Sequence, residues 1–95
     1  MFVIYNKFYL IMTNNEFLKK QIIYRSSHRG TKEMDMLLSN FVRKYINDFN
    51  SNELKELDEL LLFEDEVIYK WYFENSLNHK IPNNKVSLML KNFKF

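Results

Sequence analysis

Ninety-five residues allow one domain around one hydrophobic core and leave no room for a second. Hydrophobic residues make up 46% and charged residues 27%, a globular rather than disordered balance, and a net charge of +2 is too mild to imply nucleic acid by itself. Cysteine is absent, which excludes disulfides, thiolate metal sites and cysteine catalysis. Glycine and proline occur once each, at Gly30 and Pro82, and alanine is missing. Few breakers leave little material for tight β-turns, so the expected class is all-α: a small five-helix bundle with short polar loops. The excess of Asn, Lys, Ile, Phe and Tyr follows A/T-rich codons and reads as a bacterial, cytoplasmic protein. On that ground the aromatic count is not taken as a base-stacking surface.

Residues 1–12 read as a dispensable N-terminal extension, and 13–95 as the single bundle domain. The apolar run is too short to span a bilayer, and it lacks the features of a secretory signal or an arginine-rich transit peptide. Met12 reads as an alternative start. The competing reading gives residues 1–11 a short strand or helix that covers the bundle.

Thr13 and Glu16 have capping-box spacing and place a helix start near Asn14. That helix carries Leu18, Ile22 and Arg25 to about Ser27, and Gly30 ends the segment through a left-handed conformation. The second helix is the clearest, with Met34, Leu37, Leu38, Phe41, Val42 and Tyr45 on one stripe. Asn50 or Ser51 caps a third, with Leu54, Leu57, Leu60 and Leu61 inside and the acids outside. Asp65 caps a fourth that carries Val67, Ile68, Trp71 and Tyr72. After a loop containing Pro82, a last helix from about Asn84 carries Val86, Met89, Leu90 and Phe93. Short loops favour antiparallel neighbours.

Charge is unevenly spread. Lys19, Lys20, Arg25, Arg29 and Lys32 form a block without acids. Glu53, Glu56, Asp58, Glu59, Glu64, Asp65 and Glu66 form a second block, opposed by Lys55 alone. Such a dipolar chain suits docking on a charged protein partner, although solvated helix faces account for any single charge equally well.

No catalytic or metal motif stands out. His28 and His79 are far apart, and neither begins an H-x-x-x-H pair, so no metal ligands are assigned. A single glycine rules out a glycine-rich phosphate loop. The carboxylates of the third helix read as a solvated face, not as a general acid and base. The chain is expected not to be an enzyme.

The informative segment is His28-Arg29-Gly30-Thr31-Lys32-Glu33-Met34-Asp35. Together with Asp65 and Trp71 downstream, it resembles the FAD assembly factor family of succinate dehydrogenase, bacterial SdhE and mitochondrial succinate dehydrogenase assembly factor 2. The family signature Arg-Gly-x-x-Glu stands here at Arg29, Gly30 and Glu33, and the resemblance covers roughly residues 15 to 93. This chain departs from the family pattern at His28, where a basic residue is usual, and at Glu66, where proline is common. Without the resemblance, Arg29, Gly30, Asp65 and Trp71 would all read as structural.

The resemblance implies a chaperone that binds the flavoprotein subunit of succinate dehydrogenase, or of fumarate reductase, and promotes covalent attachment of FAD. In the family a histidine of the partner bonds to the 8α-methyl carbon of the flavin, so the reacting groups belong to partner and cofactor. No cofactor is expected on this chain, which acts as a monomer when free, without nucleic acid or stable membrane insertion. Arg29, Gly30, Glu33, His28, Lys32, Asp35 and Asp65 are the implied partner contacts, with Arg29 and Glu33 expected to be largely exposed. The rival reading is a helix-turn-helix DNA binder around Gly30. Glu33 and Asp35 argue against it, because they begin the would-be recognition helix, where base and phosphate contacts fall. A third reading is a membrane adaptor anchored by the first eleven residues.

Overall fold

In the computed structural model, which describes residues 13–76 and 80–95, five α-helices follow one another and no strand occurs among the described residues. They are α1 Asn14–Ser27, α2 Lys32–Tyr45, α3 Ser51–Leu60, α4 Asp65–Phe73 and α5 Lys85–Lys91. The expected extension at 1–12 and His79 lie outside the described residues.

Most helices start where a side chain satisfies an otherwise unpaired backbone N–H. Thr13 Oγ1 accepts from the Glu16 N–H, and Thr31 Oγ1 from that of Met34. Asn50 and Glu53 form a complete capping box at α3, and Asn84 and Ser87 form one at α5. The sequence left Asn50 and Ser51 open as the cap of α3, and Asn50 takes the role. A short 3₁₀ turn, Ile46–Asp48, joins α2 to α3, and its Ile46 and the adjoining Phe49 are buried.

The core follows the stripe of α2. Met34, Leu37, Leu38 and Phe41 are fully buried, and Val42 nearly so. They meet Ile22 of α1, Leu54 and Leu57 of α3, Ile68 of α4, and Val86 and Leu90 of α5. Helix α1 packs on α2 and α3, and α3 packs on α5. Phe41 lies edge-on to Phe93, with ring centroids 5.4 Å apart, which ties the C-terminal segment to the centre of α2.

Two local expectations fail for physical reasons. Gly30 is not left-handed; among the described residues the one non-glycine residue with positive φ is Asn75, at 52°, just after α4. Nor are all the acids of α3 outside. Glu53 is only 8% exposed, because its carboxylate closes the capping box on the Asn50 N–H and pairs with Lys85 at 2.6 Å. That pair holds the Glu53 carboxyl below its usual range and raises the Lys85 ammonium above its own.

Candidate functional site

The turn between α1 and α2 meets the turn between α3 and α4, and the side chain joining them is Arg29. Its Nε donates to Asp65 Oδ1 at 2.7 Å, Nη1 to the Leu61 carbonyl at 2.8 Å, and Nη2 to the Phe63 carbonyl at 2.8 Å. A longer contact of 3.4 Å runs from Nη1 to the Arg25 carbonyl. Leu61 and Phe63 lie where α3 has ended and α4 has not begun, so helical pairing does not satisfy their carbonyls. A planar guanidinium can serve a carboxylate and several carbonyls at once, which the point charge of a lysine cannot.

The backbone around Arg29 is fixed from both sides. Its own N–H donates to Asp35 Oδ1 at 2.9 Å, and the Gly30 N–H donates to Asp65 Oδ2 at 2.5 Å. Asp65 therefore grips the side chain of one residue and the backbone of the next. A Cβ on residue 30 would stand 3.0 Å from Asp65 Oδ2. Glycine is needed here for this close approach and not for a left-handed backbone.

Four of the seven predicted site residues thus converge: Arg29, Gly30, Asp35 and Asp65. The Arg29 side chain is only 9% exposed, against the expectation of an exposed group, because its partners are carbonyls inside a turn. Asp65 does not cap α4 through its side chain. Glu64 takes the N-cap position without a side-chain hydrogen bond, and the Asp65 carboxylate turns towards α1 and α2.

The other three point elsewhere. His28 is exposed and stacks on Tyr24 at a centroid distance of 3.9 Å. Its Nδ1 donates to the Tyr24 carbonyl at 2.7 Å, since a carbonyl can only accept. Lys32 and Glu33 are exposed in the first turn of α2. The Glu33 side chain forms no hydrogen bond or ion pair among the described residues, and Arg29 pairs with Asp65 rather than with Glu33.

Sequence reasoning missed the internal pairing of the two charge blocks. Arg25 and Gln21 of α1 both reach Asp58 of α3, the arginine at 2.5 Å, while Lys85 covers Glu53. Two pairs, Arg25 with Asp58 and Arg29 with Asp65, join the basic block to the acidic one, and Lys85 lies outside both. The opposed signs of the two blocks were a usable signal for α1 lying on α3.

No group of His, Cys, Asp or Glu able to hold a metal occurs among the described residues, and no described helix is long and apolar enough to cross a membrane.

The profile of the family described as "Flavinator of succinate dehydrogenase" matches residues 20–94. The chain belongs to this family. The match contains every residue of the latch formed by Arg29, Gly30, Asp35 and Asp65, and Glu33 as well. Among curated relatives, succinate dehydrogenase assembly factor 2 of Scheffersomyces stipitis is 40% identical over 80 residues, covering 80% of this chain and 54% of that protein. Assembly factor 2-B of Drosophila willistoni is 36% identical over 75 residues, covering 77% and 48%. The Saccharomyces cerevisiae protein is 39% identical over 87 residues, covering 85% and 54%. The chain thus spans about half the length of these relatives. No solved structure matches.

The relatives also correct one expectation. They come from eukaryotes and are named mitochondrial, which overturns the bacterial, cytoplasmic placement drawn from composition. Residue bias reports the base composition of a genome, and A/T richness is not confined to bacteria.

Proposed function

We propose that this flavinator-family chain binds the flavoprotein subunit of succinate dehydrogenase and promotes covalent attachment of FAD to it, without itself taking part in the bond-making. The observation that carries the reading is the division of the Arg-Gly-x-x-Glu signature. Arg29 and Gly30 are tied into the latch with Asp65, while Glu33 is exposed and its carboxylate is unengaged among the described residues. An exposed, unpaired acid on a rigid helix start is suited to contacting a partner.

The same geometry supports leaving FAD with the partner. The Arg29 guanidinium, the natural ligand for a diphosphate, is committed to Asp65 and to turn carbonyls. With one glycine in the chain, no glycine-rich loop can bring backbone N–H groups to phosphates. The residues present do not fit a dinucleotide at the latch. In this reading the chain supplies preorganisation: it holds the flavoprotein so that its histidine and the flavin meet at bonding distance. The fumarate reductase flavoprotein would be served by the same chemistry.

The test mixes purified flavoprotein subunit carrying non-covalent FAD with and without this chain and follows flavin fluorescence retained by the denatured band. Faster accumulation of covalent flavin with the chain present supports the proposal. Identical time courses refute it.

A further inference from the structure

Helix α1 carries apolar residues on two faces. Leu18, Ile22 and Ser26 follow one another at four-residue spacing on the face that packs against α2 and α3, and Ile22 and Ser26 are buried there. Phe17 and Tyr24, two turns apart on the opposite side, are 44% and 63% exposed, and Ile23 at the edge of that side is 50% exposed. A surface helix turns polar residues outwards, whereas a helix that is apolar all round is buried all round. Lys20 stands between Phe17 and Tyr24, and a lysine stem lies along an apolar face while its ammonium reaches the rim.

The chain that runs into α1 has the matching composition. Ten of residues 1–12 are apolar or aromatic, only Asn6 and Lys7 are polar, and no acid occurs among them. The segment meets the helix without a linker. Thr13 is the N-cap, extended at φ −71° and ψ 160°, and its Oγ1 accepts from the Glu16 N–H. An extended N-cap ends the helical path, so the chain before it leaves the axis of α1.

Counted from that cap, Met12 is the residue just before it and Phe17 is the fourth residue of the helix. These are the two positions that pair in a hydrophobic staple, the contact that sets the angle at which a chain enters a helix. A staple at Phe17 directs the preceding chain to the exposed side of α1. Length agrees with this route. From Thr13 to Tyr24 the helix rises about 16 Å, and twelve residues span about 18 Å even at the compact rise of a helix.

We infer that residues 1–12 fold back over the outer face of α1, anchored by Met12 on Phe17 and reaching Tyr24. Residues 1–12 are then a cover with a defined place on the bundle rather than a dispensable extension. The gain comes from withdrawing apolar surface of both elements from water, and it is independent of how the chain meets a partner.

The test uses the full chain, which contains no cysteine, so a single introduced thiol is unique. Tyr24→Cys and Leu88→Cys are each exposed to a soluble alkylating reagent, alone and combined with Ile4→Asp and Phe8→Asp. Leu88, 52% exposed on α5, is the uncovered reference. Tyr24→Cys should react at least about fivefold more slowly than Leu88→Cys, because the reagent must wait for the cover to open. Adding Ile4→Asp and Phe8→Asp should bring it to the rate of Leu88→Cys. In the chain that keeps Tyr24, the same two changes should lower the melting temperature by about 4 °C or more, so loss of the tyrosine ring cannot mask the effect. Equal rates for Tyr24→Cys and Leu88→Cys would overturn the inference, as would an unchanged melting temperature. Protection that survives Ile4→Asp and Phe8→Asp, or that appears only as protein concentration rises, would also overturn it, the latter by assigning the cover to a second copy.

Discussion

Asp65 holds Arg29 through one carboxylate oxygen and the Gly30 backbone through the other, at 2.7 and 2.5 Å. One side chain from the start of α4 thereby organises the most distinctive segment of the chain. The arrangement separates two kinds of signature residue. Arg29 and Gly30 build the junction of four helices, and Glu33 is presented by it.

Removing the carboxylate should therefore act on the fold. In Asp65→Ala the Arg29 guanidinium stays among carbonyls at 9% exposure without its counter-ion. Leaving a mostly buried charge unpaired costs on the order of 3 kcal/mol, and urea unfolding should show the midpoint displaced accordingly. A midpoint equal to wild type would mean that the latch contributes nothing to stability.

Gly30→Ala tests the close approach. Its Cβ would meet Asp65 Oδ2 at 3.0 Å, and that oxygen cannot retreat without loosening its bond to the Gly30 N–H. A loss of about 1–2 kcal/mol is expected, the usual scale for modest overpacking. The decisive comparison is a double-mutant cycle. In the Asp65→Ala background the obstructing atom is gone and the backbone is not left-handed, so Gly30→Ala should become neutral or stabilising. Equal costs in both backgrounds would contradict the contact.

The Glu53–Lys85 pair predicts a pH dependence. The folded pKa of Glu53 lies below its ordinary value of 4.5, so the unfolded chain takes up the proton more readily. The stabilisation is present above pH 4.5 and is lost as pH falls through the lower folded value. Lys85 is raised above 10.5, so its share is complete below that pH and disappears as pH rises through the folded value. Glu53→Gln keeps an acceptor for the capping box but not the charge. The gap in melting temperature between wild type and Glu53→Gln should be widest between pH 5.5 and 9 and should close in acid. A gap independent of pH would show that the pair has no electrostatic role.

The fold was legible in the sequence because its signals are local. The stripe from Met34 to Val42 buries as its spacing requires, and Asn50, Asn84 and Thr13 cap where small polar residues precede apolar periodicity. The site was legible only as a motif. Arg29 and Asp65 are separated by 36 positions, and nothing local distinguishes an arginine that reaches into a distant turn from one on a solvated face. The same holds for Glu53, whose partner Lys85 lies on another helix. Long-range polar pairs depend on which helices pack together, and apolar periodicity alone does not specify that.

In the proposed function Glu33 acts on the partner while the latch acts on the fold. Co-expressing the flavoprotein subunit with wild-type chain, Glu33→Ala or Asp65→Ala separates the two roles. Covalent flavin is read as in-gel fluorescence, alongside the melting temperature of each purified variant. Glu33→Ala should melt within about 2–4 °C of wild type, as an exposed position allows for a change within about 0.5 kcal/mol, yet leave the flavoprotein with sharply reduced fluorescence. Asp65→Ala should lose fluorescence and thermal stability together. Full fluorescence with a folded Glu33→Ala variant would contradict the claim.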